Sequence, residues 1–94
     1  MTWTVLVTGK AKKQAEQLPA RVQTALNVLM LEIRSSGPVR GNWHHYGKLQ
    51  GMSGFHHCHL NKGKPRYVAV WKESEKSIQL VEVRYVGTHE KAPY

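Results

Sequence analysis

The chain has 94 residues, 40% of them hydrophobic, which is enough for one modest core and one domain, residues 1–94. Lysine and arginine total 14 against six acidic residues, a formal net charge of +8 at pH 7. All six acids are glutamate, which excludes the aspartate-rich sites typical of Mg²⁺ and Ca²⁺. The single cysteine excludes an internal disulfide, and no apolar run approaches a membrane span or a signal peptide. We therefore expect a cytoplasmic domain, with no membrane association, whose partner is a polyanion or an acidic protein.

The N-terminal part of the chain predicts one strand followed by two helices. Residues 3–8 are apolar and β-branched, which is typical of a strand, and Gly9 ends it. Residues 10–18 favour a helix with a narrow apolar stripe and a broad basic face. A second helix begins at Pro19, and the Ser-Ser-Gly-Pro run at 35–38 ends it. Its apolar stripe, the longest in the chain, consists of Val22, Leu26, Leu29, Met30 and Ile33.

The C-terminal part predicts a loop or irregular strand over residues 39–53 and then three antiparallel strands. These strands span residues 54–60, 67–72 and 78–86, separated by turns with glycine, proline or charged residues. In the last strand we assign Val81, Val83 and Tyr85 to the core, and Glu82 and Arg84 to the open face. The order is therefore β-α-α-β-β-β, an α+β fold in which both helices pack on one face of a small antiparallel sheet.

The first of these three strands carries four of the residues that bear chemistry. Side chains alternate along a strand, so Phe55, His57 and His59 point to one face and His56, Cys58 and Leu60 to the other. We assign the second set to the core. The open face then carries His57, His59, Arg84 and Trp71. The turn that follows, residues 61–66, holds three cations.

Imidazoles beside fixed cations suit RNA cleavage without a metal. A base must take the proton of the ribose 2′-OH, and an acid must protonate the leaving 5′-oxygen. Histidine can do either near pH 7, because its ordinary pKa is about 6.5. Arginine forms bidentate contacts to phosphate and stays charged. The candidates are His59 and His89 for proton transfer, with Arg66 or Arg84 binding the phosphate.

The same residues and their aromatic neighbours are compatible with other roles. Six histidines and a cysteine could hold zinc, but adjacent strand residues face opposite sides and no CxxC or HExxH motif is present. Cys58 could act as a nucleophile, yet its side of the strand predicts packing. A structural or surface role is favoured for His44 and His56, while His45 is open to either. The aromatic residues Trp43, Tyr46, Trp71 and Tyr94 could stack on bases or pack in the core.

Two motifs and the order of elements resemble the RelE/ParE toxin superfamily. The motifs are the basic hairpin over residues 62–71 and the ending Tyr-Val-Gly-Thr-His over residues 85–89. The YafQ-like and RelE-like branch is the most similar. The resemblance implies the toxin of a toxin–antitoxin pair, an endoribonuclease (mRNA interferase) that cuts mRNA in the ribosomal A site. It also implies a cognate acidic antitoxin that wraps the toxin, in an oligomer of the two.

The resemblance also implies roles for particular residues. It assigns catalytic functions to His59 and His89, and points to His45 and Tyr94 as their assistants. Where the branch often carries Asp-Trp, this chain has the cationic segment 62–66, so we expect Arg66 to bind the scissile phosphate. We expect no cofactor and no metal. The residues expected to contact mRNA or ribosomal RNA are Lys48, Lys62, Lys64, Arg40 and Arg84.

Two rival functions remain compatible with the same resemblance. A ParE-like inhibitor of DNA gyrase would share the fold, because function depends on the site and not on the fold. A non-catalytic RNA-binding relative would bind RNA in a salt-dependent way without cleaving it. The pair His59 and His89, at strand ends near cations, favours the ribonuclease.

Overall fold

Five strands form one sheet in the computed structural model, which describes residues 2–94. The strands are β1 (Thr4–Val7), β2 (Gly47–Lys48), β3 (Phe55–His59), β4 (Tyr67–Glu73) and β5 (Leu80–Thr88). Two helices, α1 (Gly9–Glu16) and α2 (Ala20–Ser36), follow β1, and a short 3₁₀ turn spans His89–Lys91. The predicted α+β fold and its order of elements are confirmed, and the short β2 is an addition to it.

The strand order is β1-β5-β4-β3-β2, so the first and last long strands of the chain are neighbours. β3, β4 and β5 are antiparallel, as predicted. β1 instead pairs with β5 in parallel, from Thr4 opposite Leu80 to Val7 opposite Val83. The sheet is therefore mostly antiparallel, as predicted, and the parallel pair at this edge is a difference from the prediction. An apolar β-branched run indicates a strand, but it carries no information on the direction of its neighbour.

One end of each helix is marked by a capping residue, Thr8 at the start of α1 and Gly37 at the end of α2. Thr8 caps α1, since its hydroxyl accepts a hydrogen bond from the backbone N–H of Ala11 at 3.1 Å. α2 ends before Gly37, whose φ of +96° lies in the left-handed region that favours glycine. The predicted stripe of α2 is confirmed as its inward face, where the buried residues are Val22, Leu26, Leu29 and Ile33. The helices cover one face of the sheet.

The core has a larger and a smaller part. The larger part joins the helices to Cys58, Ala69, Trp71, Val81 and Val83 of the sheet. The smaller part consists of Leu49, Val68, Val70 and Tyr85, with Met52, Phe55 and Ala92 packed against it. Because β4 is buried on both faces, its sequence shows no alternation of apolar and polar residues.

Two side chains lie on the opposite face from the one predicted. A β-bulge pairs Val70 with Tyr85 and Trp71 with Val83, so Arg84 is an extra residue in β5. The extra residue moves Tyr85 away from Val83 and into the smaller part of the core. Trp71 was assigned to the open face, but it lies fully buried on the helix side, beside His56 of β3. Within residues 2–94, no helix is long and apolar enough to span a membrane.

Candidate active site

Three histidine rings meet at the end of β3. His59 is the last residue of this strand and is buried. The ring of His45 stacks on it, with 4.3 Å between the ring centroids and 27° between the planes. The ring of His89 approaches His59 edge-on, at 5.4 Å and 70°. His59 therefore lies between the two other imidazoles, and we call His45, His59 and His89 the histidine cluster.

The sheet brings these residues together from separate parts of the chain. Antiparallel pairing of Tyr67 with Thr88 brings the start of β4 beside the end of β5. The backbone N–H of His89 donates to the carbonyl of Arg66 at 2.8 Å, which fixes the start of the 3₁₀ turn. The loop before β2 is joined in the same way, because the N–H of His59 donates to the carbonyl of His44 at 2.8 Å.

A second pair of rings extends the histidine cluster along the same sheet face. Tyr94 lies 4.7 Å from His57 and 6.0 Å from His89, measured between ring centroids. The Nδ1 atom of His57 is buried and has no hydrogen-bond partner within residues 2–94. A Cβ added at Gly47 would lie 3.2 Å from Nε2 of His57, so the glycine allows this ring its position. His57 was predicted on the open face without a role, although its place on the same strand face as His59 was a signal.

The surroundings of His59 favour its neutral form. Burial lowers the pKa of His59, and the neighbouring His45, His89 and Arg66 lower it further because they disfavour a second positive charge. Burial also lowers the pKa of His57. A neutral imidazole near pH 7 has a lone pair free to accept a proton, so His59 suits the role of a general base.

A groove of about 370 Å³ opens beside the histidine cluster. It is lined by Lys64, Pro65, Arg66, Thr88, His89 and Glu90. The side chains of Lys64 and Arg66 are exposed, so their cationic groups are accessible from solvent. A wall with two cations and an imidazole is chemically suited to a phosphate group.

The residues predicted to bind RNA lie at different distances from this groove. Lys64 lines it, and Lys62 lines an adjacent hollow together with His44 and His59. Lys48 is exposed on β2, opposite His56 of β3. The structure does not bring the two arginines to the histidine cluster. Arg84 pairs with Glu82 and lies over Phe55, at the other end of β3, and Arg40 forms an ion pair with Glu32 of α2 at 3.2 Å.

The other face of β3 is structural, as predicted. Cys58 is fully buried, and burial raises the pKa of its thiol to about 12, so the reactive thiolate is absent near neutral pH. His56 is 1% exposed and is hydrogen-bonded to Tyr46 and Glu73. Trp43 and Tyr46 pack against the core. Within the described part of the chain, no group of three or more His, Cys, Asp or Glu side chains could hold a metal ion.

Comparison with solved structures identifies the fold. The chain is similar to free E. coli toxin RelE with two arginine-to-alanine substitutions, at a TM-score of 0.75 and 22% identity, over 98% of this chain and 88% of that one. It has the RelE-like fold. The archaeal RelE-RelB complex from Pyrococcus horikoshii gives a TM-score of 0.71 at 15% identity, over 98% of this chain and 100% of that one. The YoeB dimer from Staphylococcus aureus gives 0.71 at 14% identity, over 95% and 99%.

The RelE-like fold is supported by structure rather than by sequence similarity. No protein-family model matches the chain, and no curated protein matches it. The structural resemblance extends along nearly the full length of both chains in each comparison. The resemblance to RelE-type toxins predicted from the sequence is thus confirmed at the level of the fold.

Proposed function

We propose that this protein is the toxin of a toxin–antitoxin system and cleaves translated mRNA on the ribosome. The observation that carries the proposal is the contact of His59 with both His45 and His89 beside the groove that holds Arg66. The RelE-like fold supports the same proposal, because its solved examples include toxins alone and in complex with antitoxins.

The proposed reaction needs no metal. His59 takes the proton of the ribose 2′-OH, and the 2′-oxygen then attacks the adjacent phosphorus. The bond from phosphorus to the 5′-oxygen breaks, and His89 donates a proton to that leaving oxygen. The products are a 2′,3′-cyclic phosphate and a 5′-hydroxyl. Lowering of the pKa of His59 by burial supports its role as the base.

Arg66 supplies charge in this mechanism. Its guanidinium lies at the same groove as His89 and can bind the phosphoryl oxygens as negative charge grows on them. Lys64 adds a second cation on the same wall. Lys62 is near His59 and is suited to the neighbouring phosphate.

His45 and Tyr94 are proposed to hold the nucleotide. Both side chains are exposed while also contacting a buried or half-buried histidine ring, so each has a free surface on which a base can stack. Lys48, Arg84 and Arg40 lie farther away and are proposed to contact mRNA outside the cut site or ribosomal RNA. Arg40 would do so while keeping its ion pair with Glu32.

The net charge of +8 is consistent with two partners, an acidic antitoxin and the RNA of the ribosome. Solved structures with the same fold include RelE-RelB complexes. We propose that this chain likewise associates with a cognate antitoxin of opposite charge.

The decisive experiment is to induce the protein in a bacterial host and to map new mRNA 5′ ends, with and without a block of translation. We expect cuts inside reading frames that disappear when translation stops. His89→Ala should reduce cleavage by roughly 10²- to 10⁴-fold, the usual contribution of a general acid. Lys91→Ala, in the same 3₁₀ turn, serves as the control and should cut like the unchanged protein.

Other outcomes would assign another function. Growth arrest without such cuts, together with loss of plasmid supercoiling, would indicate a gyrase inhibitor. Absence of both arrest and cuts would indicate a binding protein. A folded His89→Ala variant that cleaves normally would remove His89 from the mechanism.

A further inference from the structure

We propose that Tyr46 and His56 are positioning residues that hold His45 against His59. They form a hydrogen-bonded chain with Glu73, on the helix side of the sheet, in which His56 is the buried member, and we call this chain the Tyr46-His56-Glu73 relay. His45, whose ring contacts His59, directly precedes Tyr46 in the chain. The catalytic consequence rests on the proposed function, whereas the geometric claim can be tested without it.

The backbone of His45 needs such support. Its φ of +52° lies in the left-handed region, which residues with a Cβ atom adopt only when flanking contacts impose it. On the N-terminal side, the carbonyl of His44 accepts a hydrogen bond from the N–H of His59 at 2.8 Å. The indole of Trp43 donates to Glu32 at 2.9 Å. On the C-terminal side, the next residue is Tyr46, so a contact that fixes the side chain of Tyr46 also restricts the backbone after His45.

The side chain of Tyr46 is held by the imidazole of His56. The hydroxyl of Tyr46 lies 2.7 Å from Nδ1 of His56, and Nε2 of the same ring lies 3.2 Å from a carboxylate oxygen of Glu73. An ionised carboxylate only accepts hydrogen bonds, so Nε2 carries the proton and Nδ1 accepts from Tyr46. Both ring nitrogens are thereby satisfied in the neutral form. Burial lowers the pKa of His56, which is consistent with that form.

Packing prevents His56 from turning away. Its side chain is 1% exposed, and the indole of Trp71 lies parallel to it, with 5.8 Å between centroids and 6° between planes. The indole in turn donates to the carbonyl of Pro38 at 3.0 Å. The ring of Tyr46 lies at 5.9 Å from His56 and 6.2 Å from Trp71. The imidazole of His56 is therefore held in one orientation, and Tyr46 attaches the loop before β2 to it.

A matched pair of substitutions separates the two links of His56. The amide of asparagine reaches the position of Nδ1, so His56→Asn retains an acceptor for the hydroxyl of Tyr46. The longer glutamine reaches the position of Nε2, so His56→Gln retains the link to Glu73 and loses the one to Tyr46. Both variants remove the same imidazole from beside Trp71. Tyr46→Phe removes the tyrosine link while keeping the ring.

The measurement is solution NMR of the purified full chain with labelled histidines. The readout is the cross-relaxation between the rings of His45 and His59, which are in contact in the unchanged protein. We expect this signal to disappear in His56→Gln and Tyr46→Phe and to persist in His56→Asn. Tyr85→Phe is the control, because it removes a tyrosine hydroxyl bonded at 2.7 Å to Thr88, on the element that carries His89 rather than His45.

Persistence of the signal in both folded variants, His56→Gln and Tyr46→Phe, would overturn the proposal. So would its loss in Tyr85→Phe, since that would show a general response to losing a buried hydroxyl. If one variant fails to fold, the other decides, because each breaks the same hydrogen bond from a different side.

The cleavage assay adds a test of the consequence. Tyr46→Phe should reduce cleavage in the unchanged background and have no further effect in the His45→Ala background, because Tyr46 acts through His45. Equal reductions in both backgrounds would overturn the positioning role. If the unchanged protein does not cleave RNA at all, the proposed function fails, while the NMR result still decides whether the Tyr46-His56-Glu73 relay holds His45.

Discussion

His59 illustrates how the surroundings of one residue define what it can do. Its imidazole is buried at the end of β3 and lies near His45, His89 and Arg66. Burial and neighbouring positive charge both disfavour protonation, so both lower its pKa. The same ring on an exposed strand would titrate at its ordinary value. Its suitability as a base is therefore a property of the folded site.

This leads to a prediction for the pH dependence of cleavage. A base must be unprotonated, so the rate should fall on the acid side, at a pH below the ordinary histidine value of about 6.5. Arg66→Ala removes one positive charge, so it should raise the pKa of His59 and move this acid limb to higher pH. The measurement is the rate of cleavage as a function of pH for both proteins. An acid limb that stays in place would contradict a contribution of Arg66, and Lys91→Ala is the control.

The apolar face of α2, which its sequence pattern predicts, packs in the larger part of the core. Its inward residues recur at helical spacing and are buried against the sheet, while Val28 and Leu31 on its outer side are exposed. Two leucines on one helix thus differ in surroundings but not in chemistry. Leu29 is 1% exposed and Leu31 is 63% exposed.

The two leucines make a matched pair for a stability prediction. Leu29→Ala removes buried methyl groups and leaves a cavity, so the free energy of unfolding should fall by about 2–5 kcal/mol. Leu31→Ala should change it by less than about 0.5 kcal/mol, since its side chain is mostly in solvent. Urea unfolding of both variants provides the measurement. Similar losses for the two would mean that α2 does not pack as described.

For the molecule as a whole, the most consequential feature is that three histidine side chains are fully or partly buried. His56, His57 and His59 lie on adjacent parts of one strand, and burial is the largest cause of the lowered pKa of each. These three rings share one strand of a protein that already carries +8. Protonating them in the folded state adds charge to an already positive molecule.

The stability of the fold should therefore decrease in acid. The unfolded chain binds protons at these histidines below about pH 6.5, whereas the folded chain binds them only at lower pH. The free energy of unfolding should thus be greatest above that pH and fall as the pH is lowered. Urea titrations at about pH 7.5 and about pH 5.5 measure the difference in the free energy of unfolding between the two pH values. His57→Gln should reduce this difference in the free energy of unfolding, and a difference unaffected by His57→Gln would contradict this account.

Elements that depend on local periodicity could be predicted from the sequence. The stripe of α2, the strands β3 to β5 and the division of β3 into a Cys58 side and a His59 side all follow from spacing along the chain. These patterns can be read locally because a side chain's face depends only on the geometry of its own helix or strand.

Features that depend on contacts between separate strands could not be predicted from the sequence. The parallel pairing of β1 with β5, the bulge at Arg84 and the burial of Trp71 depend on register between strands, which no single strand encodes. The histidine cluster is of the same kind, because His45, His59 and His89 come from separate stretches and meet only when the loop before β2 and the strands β3, β4 and β5 are aligned. The candidate residues could be named individually from the sequence, whereas their contacts and the lowered pKa of His59 arise from packing.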